Sequence, residues 1–573
     1  MAADKVQAKP GWKSTLRALG HRKTRFMAIF GFAAGLPYAL LLGTLYAWLT
    51  EAEVDLETMG VFSLIGLAYA FKFLWSPLVD RFDLPLLKRL GRRKQWIVTA
   101  QVLLGAILVT MSLLDPVRSL GWFSLLAGIG AFASATQDVA IDAWRVDVAD
   151  EEATIDMLSA VYQMGYRIAA LAGGALALIL ADDIGWPNVF ALMGGLLLLV
   201  GFFGLFAPDN ASDVNIGGEE DNLLGLRKAG ELEPRIRNYA LLAVAVLWGW
   251  ALLRVGVFMV ESLSSDPENR PDSTAFIATY GPLVIIATVV IPALIAGWLV
   301  RLKRAGRYVL PEDAGIPSGA GQLGEHLYRA LVLPLVEFVG RMGWALVLIL
   351  ALVLTYRITD SIWGTFAYPF YLGELEYSYD EVAVASKFFG VGAVILGLAV
   401  GGFLLTVLGR MATLTLGALL AALTNLLYAD LALGGARMQV VADLTGFTWM
   451  VTQFPGGTER LARLMITIGG ENLAVGIAGA AFVAYLSSIV SKGYSAVQYA
   501  LLSSLTMLVG TLGRGALGQM IEEQGYYAVF IFTMAIGFVA VVLCAMEWIR
   551  VARLGRKSGM LAPEAGKAPV PAE

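Results

Sequence analysis

The sequence predicts an all-α polytopic membrane protein of fourteen spans, two six-helix bundles with two extra transmembrane helices between them. Three observations carry that expectation. Of the 573 residues, 58% are hydrophobic and only 15% charged, with a mean hydropathy of +0.69, too few polar groups to cover a soluble protein. The apolar residues gather in repeated runs long enough to cross about 30 Å of hydrocarbon as helices. Finally, the basic residues fall mainly on one side of the resulting map, and part of the chain repeats itself.

In order, residues 1–24 form a basic cytoplasmic tail, and the apolar run behind it is too long for a signal-peptide core and has no small-residue cleavage site. Spans are expected over 25–50, 57–80, 95–114, 120–149, 154–181 and 186–207, which make the first bundle (25–207). A cytoplasmic linker (208–237) leads to the two extra helices at 238–261 and 275–300, within 238–300. The next linker (301–342) carries a Gly- and Pro-containing loop from Pro311 to Gln322. After it, Leu323, Leu327, Leu331, Leu335 and Phe338 stand at helical spacing, an amphipathic helix on the inner surface bent near Pro334. The second bundle (343–550) follows with spans at 343–371, 382–408, 411–434, 461–490, 495–520 and 526–550, then a tail (551–573) whose Ala-, Pro- and Glu-rich end predicts disorder.

On this map 30 of the 42 Lys and Arg lie on one side and five (Arg118, Arg270, Arg437, Arg460 and Arg463) on the other, which puts both termini in the cytoplasm. The repeat agrees. Gly173–Phe190 and Gly513–Phe530 share a glycine turn, an acidic pair, Gly-aromatic and Val-Phe at one offset. A weaker echo links Leu49–Glu53 with Leu372–Glu376. Two six-helix units in the same orientation, related by an axis along the membrane normal, explain both.

The chemistry centres on Ser134–Asp147, where Gln137, Asp138, Asp142 and Arg145 interrupt an apolar, small-residue helix. At 100° per residue Asp138, Asp142 and Arg145 share one face with Ala131, Ser134 and Ala135. A charge at bilayer depth costs about 2.5–3.5 kcal/mol on insertion scales, so this face requires a lumen, a partner helix or bound solute. The plainer reading is a self-neutralising Asp142–Arg145 pair, which leaves Asp138 and Gln137 unexplained.

Elsewhere at lipid depth stand Lys72, Arg167, Arg357, Asp360, Lys387, Glu471 and Arg514. Each has the alternative of a helix–helix ion pair or a snorkelling cation. Arg357 and Asp360 can satisfy one another, whereas Glu471-Asn472 follows paired glycines with no neighbouring cation. Arg254 in the first extra helix is expected to pair with Glu261 or to snorkel. Tyr162, Gln163, Tyr166 and Arg167 open the fifth span. Tyr and Gln offer neutral donors and acceptors for sugar hydroxyls and amides; Lys72, Arg145 and Arg167 offer cations for carboxylates. Lys387 and Asn472 add to that set, and a polar, anionic solute follows. Both histidines, His21 and His326, fall outside the spans, so proton coupling falls to the carboxylates Asp138, Asp142, Asp360 and Glu471, the side chains that bind protons more readily when buried. No metal-ligand spacing, cofactor motif or phosphate-binding loop is present, and the single Cys544 cannot form an intrachain disulfide.

The chain resembles the AmpG-type muropeptide permeases of the major facilitator superfamily. The resemblance rests on Gly31–Pro37 (GFAAGLP), Phe71–Arg81 (FKFLWSPLVDR), Ser134–Asp147 (SATQDVAIDAWRVD), Pro334–Arg341 (PLVEFVGR) and Tyr494–Ser503 (YSAVQYALLS). It implies the major facilitator fold and no enzymatic activity. It also implies proton-driven import, across the bacterial inner membrane, of N-acetylglucosaminyl-anhydro-N-acetylmuramyl peptides for peptidoglycan recycling. The expected partners are that solute, protons and the bilayer, without nucleic acid or an obligate protein. Gln137, Asp138 and Asp142 lie within the matching fourth-helix string. The superfamily's gating loop is stretched here: Ser76 takes its first glycine position, and an insert separates Asp80-Arg81 from Gly91-Arg92-Arg93-Lys94. Asp80, Arg81 and Arg92 are expected to latch the cytoplasmic face. Competing readings are a carrier of another anionic solute such as acetyl-CoA and, more distantly, a membrane-embedded transferase or sensor.

Overall fold

The computed structural model describes residues 19–54, 64–85, 87–208, 232–265, 269, 271–308, 320–357 and 366–557. Asp360 lies outside the described residues, as do most of the first tail, residues 209–231 of the first linker and the end of the last tail from 558.

Among the described residues the regular elements are helices. The first unit comprises α1 (Arg22–Glu51), the short α2 (Leu64–Ala70) and α3 (Ser76–Arg81), α4 (Lys94–Ser112), α5 (Leu120–Val148), α6 (Ile155–Ile184) and α7 (Trp186–Gly204). The central insertion is α8 (Pro234–Ser264) and α9 (Ala275–Arg304), with the linker helices α10 (Ala320–Leu331) and α11 (Leu333–Met342). The second unit comprises α12 (Ala345–Tyr356), α13 (Tyr379–Val407), α14 (Arg410–Ala432), the short α15 (Ala436–Leu444) and α16 (Phe447–Thr452), α17 (Glu459–Ile489) and α18 (Ser495–Lys557). Eleven of the described helices are long and apolar enough to cross a membrane, or twelve if α11 and α12, which meet at 104°, form one broken span. Fourteen spans are compatible with this. The expected second and ninth runs are described only in part, and the thirteenth and fourteenth are joined in α18, which turns at Gly525.

Local chemistry sets the boundaries. The Thr154 hydroxyl accepts from the Met157 N–H at 3.3 Å to open α6, and Thr458 accepts from Leu461 N–H at 3.0 Å to open α17. Ser378 and Glu381 form a reciprocal capping box at the start of α13. The linker helix breaks at Val332, and Pro334, expected at a bend, sits in the first turn of α11.

The repeat is written in the backbone. Gly185 and Gly525, the matching glycines, have φ of 80° and 78°, and Glu53 and Glu376, the last residues of the weaker echo, have φ of 59° and 53°. Gly91 and Gly409, ahead of α4 and α14, form a third such pair at 96° and 84°. Within each unit helices approach to backbone distance. A Cβ at Gly31 would lie 2.3 Å from the Tyr162 carbonyl oxygen, binding α1 to α6, and one at Gly397 would lie 2.2 Å from that of Leu473, binding α13 to α17.

Candidate solute and coupling site

Twenty residues of α5 are buried, including Gln137, Asp138, Asp142, Arg145 and Asp147. The face that carries Asp138, Asp142 and Arg145 meets Lys72, which the single turn Lys72–Leu74 between α2 and α3 turns inward. The Lys72 ammonium stands 3.6 Å from Asp138 Oδ2 and 3.8 Å from Asp142 Oδ2. A charge-assisted hydrogen bond is about 2.7–2.9 Å long, so Lys72 is suspended between two carboxylates and committed to neither. Arg145 Nη2 donates to Asp142 Oδ1 at 2.9 Å, which realises the expected Asp142–Arg145 pair as one edge of a tetrad. All four side chains are buried, where removing one member strands a charge.

The tetrad also reaches across the molecule. Arg145 Nε donates to the Ser487 hydroxyl of α17 at 3.1 Å, and its guanidinium lies 4.7 Å from the ring of Tyr162 in α6 and 5.0 Å from that of Tyr499 in α18. One cation thus bridges the two six-helix units. Above it Tyr38, Tyr69, Tyr162 and Tyr166 form an aromatic wall with ring centroids 5.0–6.2 Å apart. Tyr69 donates to Ser134 Oγ at 2.7 Å. Gln137 Nε2 donates to the Ala33 carbonyl at 2.8 Å and fastens α5 to α1. Three buried atoms here, Gln137 Oε1, Asp138 Oδ1 and Arg145 Nη1, have no hydrogen-bond partner among the described residues, a cost that water or a polar solute removes.

Gln163, Tyr166 and Arg167 are half-buried along α6. The second-unit residues stand in a different setting. Tyr428 donates to Glu471 and shares a 2.9 Å hydrogen bond with Tyr371. Asn472 donates to its own helix at Ile468, 2.8 Å away, and Lys387 is exposed with its ammonium 5.6 Å from the Tyr368 ring. Arg254 of α8 lies over the ring of Tyr280 at 5.1 Å.

At the end of the molecule where α3, α5 and α17 finish, Asp80 and Arg92 stand in an ionic cluster with a different cation at its centre. Arg93, passed over in the sequence, donates to Asp80 Oδ1 at 2.6 Å, Asp147 Oδ2 at 2.8 Å, Ser495 Oγ at 3.0 Å and the Val79 carbonyl at 3.0 Å. Asp80 also accepts from the Ala496 and Val497 N–H groups at 3.3 and 2.9 Å, at the N-terminus of α18. Arg92 is the outer member: it donates to the Asp80 carbonyl and lies 3.7 Å from that carboxylate. Burial and the adjacent Arg93 cation bring the Arg92 guanidinium down to about 10. Arg81 points elsewhere, to the Arg329 carbonyl at 3.2 Å and the Tyr494 ring at 5.3 Å. A second tie stands nearby, Arg410 Nε to Asp156 Oδ1 at 2.7 Å. With the Lys492 bond to the Ala149 carbonyl at 3.1 Å, these contacts close the two units against each other at this end.

A family model described as Major Facilitator Superfamily matches residues 24–311. The Anhydromuropeptide permease of Escherichia coli (strain K12) is 28% identical over 543 residues, which cover 94% of this chain and 83% of the relative. Putative transporter AmpG 4 of Rickettsia conorii is 26% identical over 517 residues, covering 90% and 94%.

Proposed function

We propose, from the premise that this chain belongs to the Major Facilitator Superfamily and is a transporter, that it imports cell-wall muropeptides by proton symport. The cargo is N-acetylglucosaminyl-anhydro-N-acetylmuramic acid and its peptides, carried from periplasm to cytoplasm across a bacterial inner membrane for peptidoglycan recycling. Both termini then face the cytoplasm, in keeping with the bias of Lys and Arg. Similarity to the anhydromuropeptide permease over 94% of the chain supports the cargo.

The observation that carries the mechanism is the buried tetrad of Lys72, Asp138, Asp142 and Arg145. Asp138 and Asp142 take the coupling role, with Glu471 and Asp360 as second-unit carboxylates. Lys72, Arg145 and Arg167 receive the carboxylates of the cargo, while Gln137, Gln163, Tyr166, Asn472 and Lys387 meet its hydroxyls and amides. Asp80, Arg81, Arg92 and, at the centre, Arg93 hold the cytoplasmic end shut. Opening the cytoplasmic end pulls Ser487 and Tyr499 away from Arg145, so the rearrangement that releases cargo also alters the partners of Asp142.

The test is uptake of labelled anhydro-muropeptide into proteoliposomes under an imposed pH gradient, with and without acetyl-CoA. Concentrative uptake that collapses with the gradient and resists acetyl-CoA is expected. Full competition by acetyl-CoA moves the cargo to that class, and turnover without vectorial movement replaces transport with catalysis.

A further inference from the structure

Between α14 and α17, at the end of the molecule opposite Arg93, the chain makes a helical hairpin, α15 and α16, that the transport site does not use. Two glycines with positive φ, Gly434 at 98° and Gly435 at 73°, turn the chain out of α14, and a third, Gly446 at 74°, joins the two short helices. The hairpin is held on its inner side. The Met438 N–H donates to the Asp430 carboxylate at 2.8 Å, Arg463 of α17 donates to the Gly434 carbonyl at 2.7 Å, and the Phe447 ring lies 5.4 Å from that of Phe389 in α13. Met438, Ala442 and Val451 are buried.

Its outer side is apolar too. Leu444 is 83% exposed, Trp449 70% and Phe454 65%, with Val440 beside them. At 100° per residue Val440 and Leu444 stand nearly opposite the buried Met438 and Ala442, on the face that a helix at the surface of a water-soluble protein fills with charge. From Leu433 to Thr458 the only charged residues are Arg437 and Asp443. Polar side chains gather on one flank, where Gln439 donates to Asp443 at 2.8 Å and to Thr448 at 3.1 Å. Leaving a large apolar side chain in water forgoes about 1.5–3 kcal/mol.

The surroundings identify the cover. α14 has 23 residues, about 33 Å at 1.5 Å per residue, little more than the hydrocarbon thickness of about 30 Å, so the hairpin starts where lipid tails give way to headgroups. Exposed Leu423, Leu426 and Leu433 stand at helical spacing and carry one apolar stripe from within α14 onto the hairpin. An aromatic-bearing, charge-poor face at that depth has the composition of an interfacial segment. We infer that α15 and α16 lie in the lipid surface, with Val440, Leu444, Trp449 and Phe454 among the glycerol backbones and first acyl carbons of the leaflet. Arg437, on the same side, reaches the headgroups with its long stem. Through Arg463 the leaflet also holds the first turns of α17, the span whose far end carries Ser487 to Arg145.

The test places a nitroxide on Leu444→Cys in the full-length protein, in nanodiscs of phosphatidylcholine and phosphatidylglycerol. It compares collisions with oxygen, which concentrates in lipid, and with a water-soluble nickel chelate. Cys544 is buried and stays in place. Leu444→Cys should show the excess of oxygen over nickel expected for Leu423→Cys on the flank of α14 and lacking at Glu151→Cys in an exposed loop. Phe454→Cys is a second reporter, should the first disturb the hairpin, and should give the same ratio. Nickel access at both hairpin positions equal to that at Glu151→Cys overturns the inference, because the hairpin then stands in water. Exclusion of both reagents in discs holding one copy also overturns it, showing a cover supplied by this chain itself. Dipolar broadening between labelled copies sharing a vesicle replaces the lipid with a second copy of the chain.

Discussion

The fourth spans of the two units, α5 and α17, are alike in length and burial and opposite in chemistry. In the register set by Gly185 and Gly525, Asp138 is matched by Ala478, Asp142 by Phe482 and Arg145 by Tyr485. Phe482 stacks on Tyr356 at 4.8 Å with the rings 7° apart, Ala478 packs where a Cβ at Gly417 would be 2.8 Å from its Cα, and Tyr485 donates to buried Glu547. One unit thus keeps a desolvated ionic cluster where its counterpart has close apolar packing at the two carboxylate positions and a tyrosine–carboxylate hydrogen bond at the third. A buried ion pair is seldom the most stable filling for a given volume, and a hydrophobic replacement of similar size is often neutral or better. At the positions of Asp138 and Asp142 the apolar residues of α17 show that the scaffold accommodates such a filling, in keeping with the transport role proposed for the charges of α5. The latches show a parallel asymmetry. Asp80, Arg93 and Asp147 are buried and share at least six hydrogen bonds, whereas Arg410 and Asp156 form one pair with side chains 30% and 19% exposed.

The largest effect is expected from neutralising α5. Asp138→Asn should reduce gradient-driven uptake to the level of empty vesicles at normal protein abundance, while Phe482→Leu in the counterpart position should leave uptake intact and cost about 1 kcal/mol of stability. Undiminished uptake by Asp138→Asn would end the division of labour between the two spans. Next in size is the latch comparison. Arg93→Ala leaves two buried carboxylates without their cation and should cost about 3–5 kcal/mol. Arg410→Ala should cost about 1 kcal/mol or less, being partly solvated. Thermal unfolding gives the stabilities, and spin-label distances across the Asp80 end should lengthen far more in the first variant; equal responses would show that the latches are equivalent.

The smallest effect concerns a loop. Asp150 corresponds in register to Val490, and its carboxylate meets the Lys23 ammonium at 2.5 Å. Partial burial opposes ionisation, but Lys23 and the Ala153 N–H outweigh it and hold this carboxyl below its usual range. The pair's contribution is therefore complete above the unfolded value of about 3.9 and is lost as pH falls through the lower folded value. Asp150→Asn should lower stability by a few tenths of a kcal/mol at neutral pH, with the gap closing in acid. A gap that persists at low pH would place the effect elsewhere.

The helical map and the polar face of α5 were legible because each depends on local periodicity. The Gly-aromatic pairs at Gly185 and Gly525 were legible too, since positive φ restricts the choice of residue, whereas the glycine turn expected at the start of the repeat, at Gly173 and Gly513, is helical in both units. Long-range partners were not. Ser487 reaches Arg145 across 342 positions and Ser495 reaches Asp147 across 348, and even the string Tyr494–Ser503 that contains Ser495 does not say which residue it meets. Within Gly91-Arg92-Arg93-Lys94, consecutive cations look interchangeable in sequence; only the rotation of the chain into α4 decides that Arg93 faces Asp80 and Arg92 its rim. The same limit applies to the neighbours Glu471 and Asn472. In the fold Glu471 accepts from a tyrosine of α14 while Asn472 turns back on α17.

Lys72 shared between Asp138 and Asp142, with Arg145 closing the figure, makes a cluster whose charges cancel when all four groups are ionised. One proton taken up by either carboxylate leaves it with a net charge of plus one. Under the proposed symport, an anionic guest and a hydrogen ion would each make room for the other, and the loaded carrier would cross its midpoint electrically neutral, at little cost from the low-dielectric slab around it.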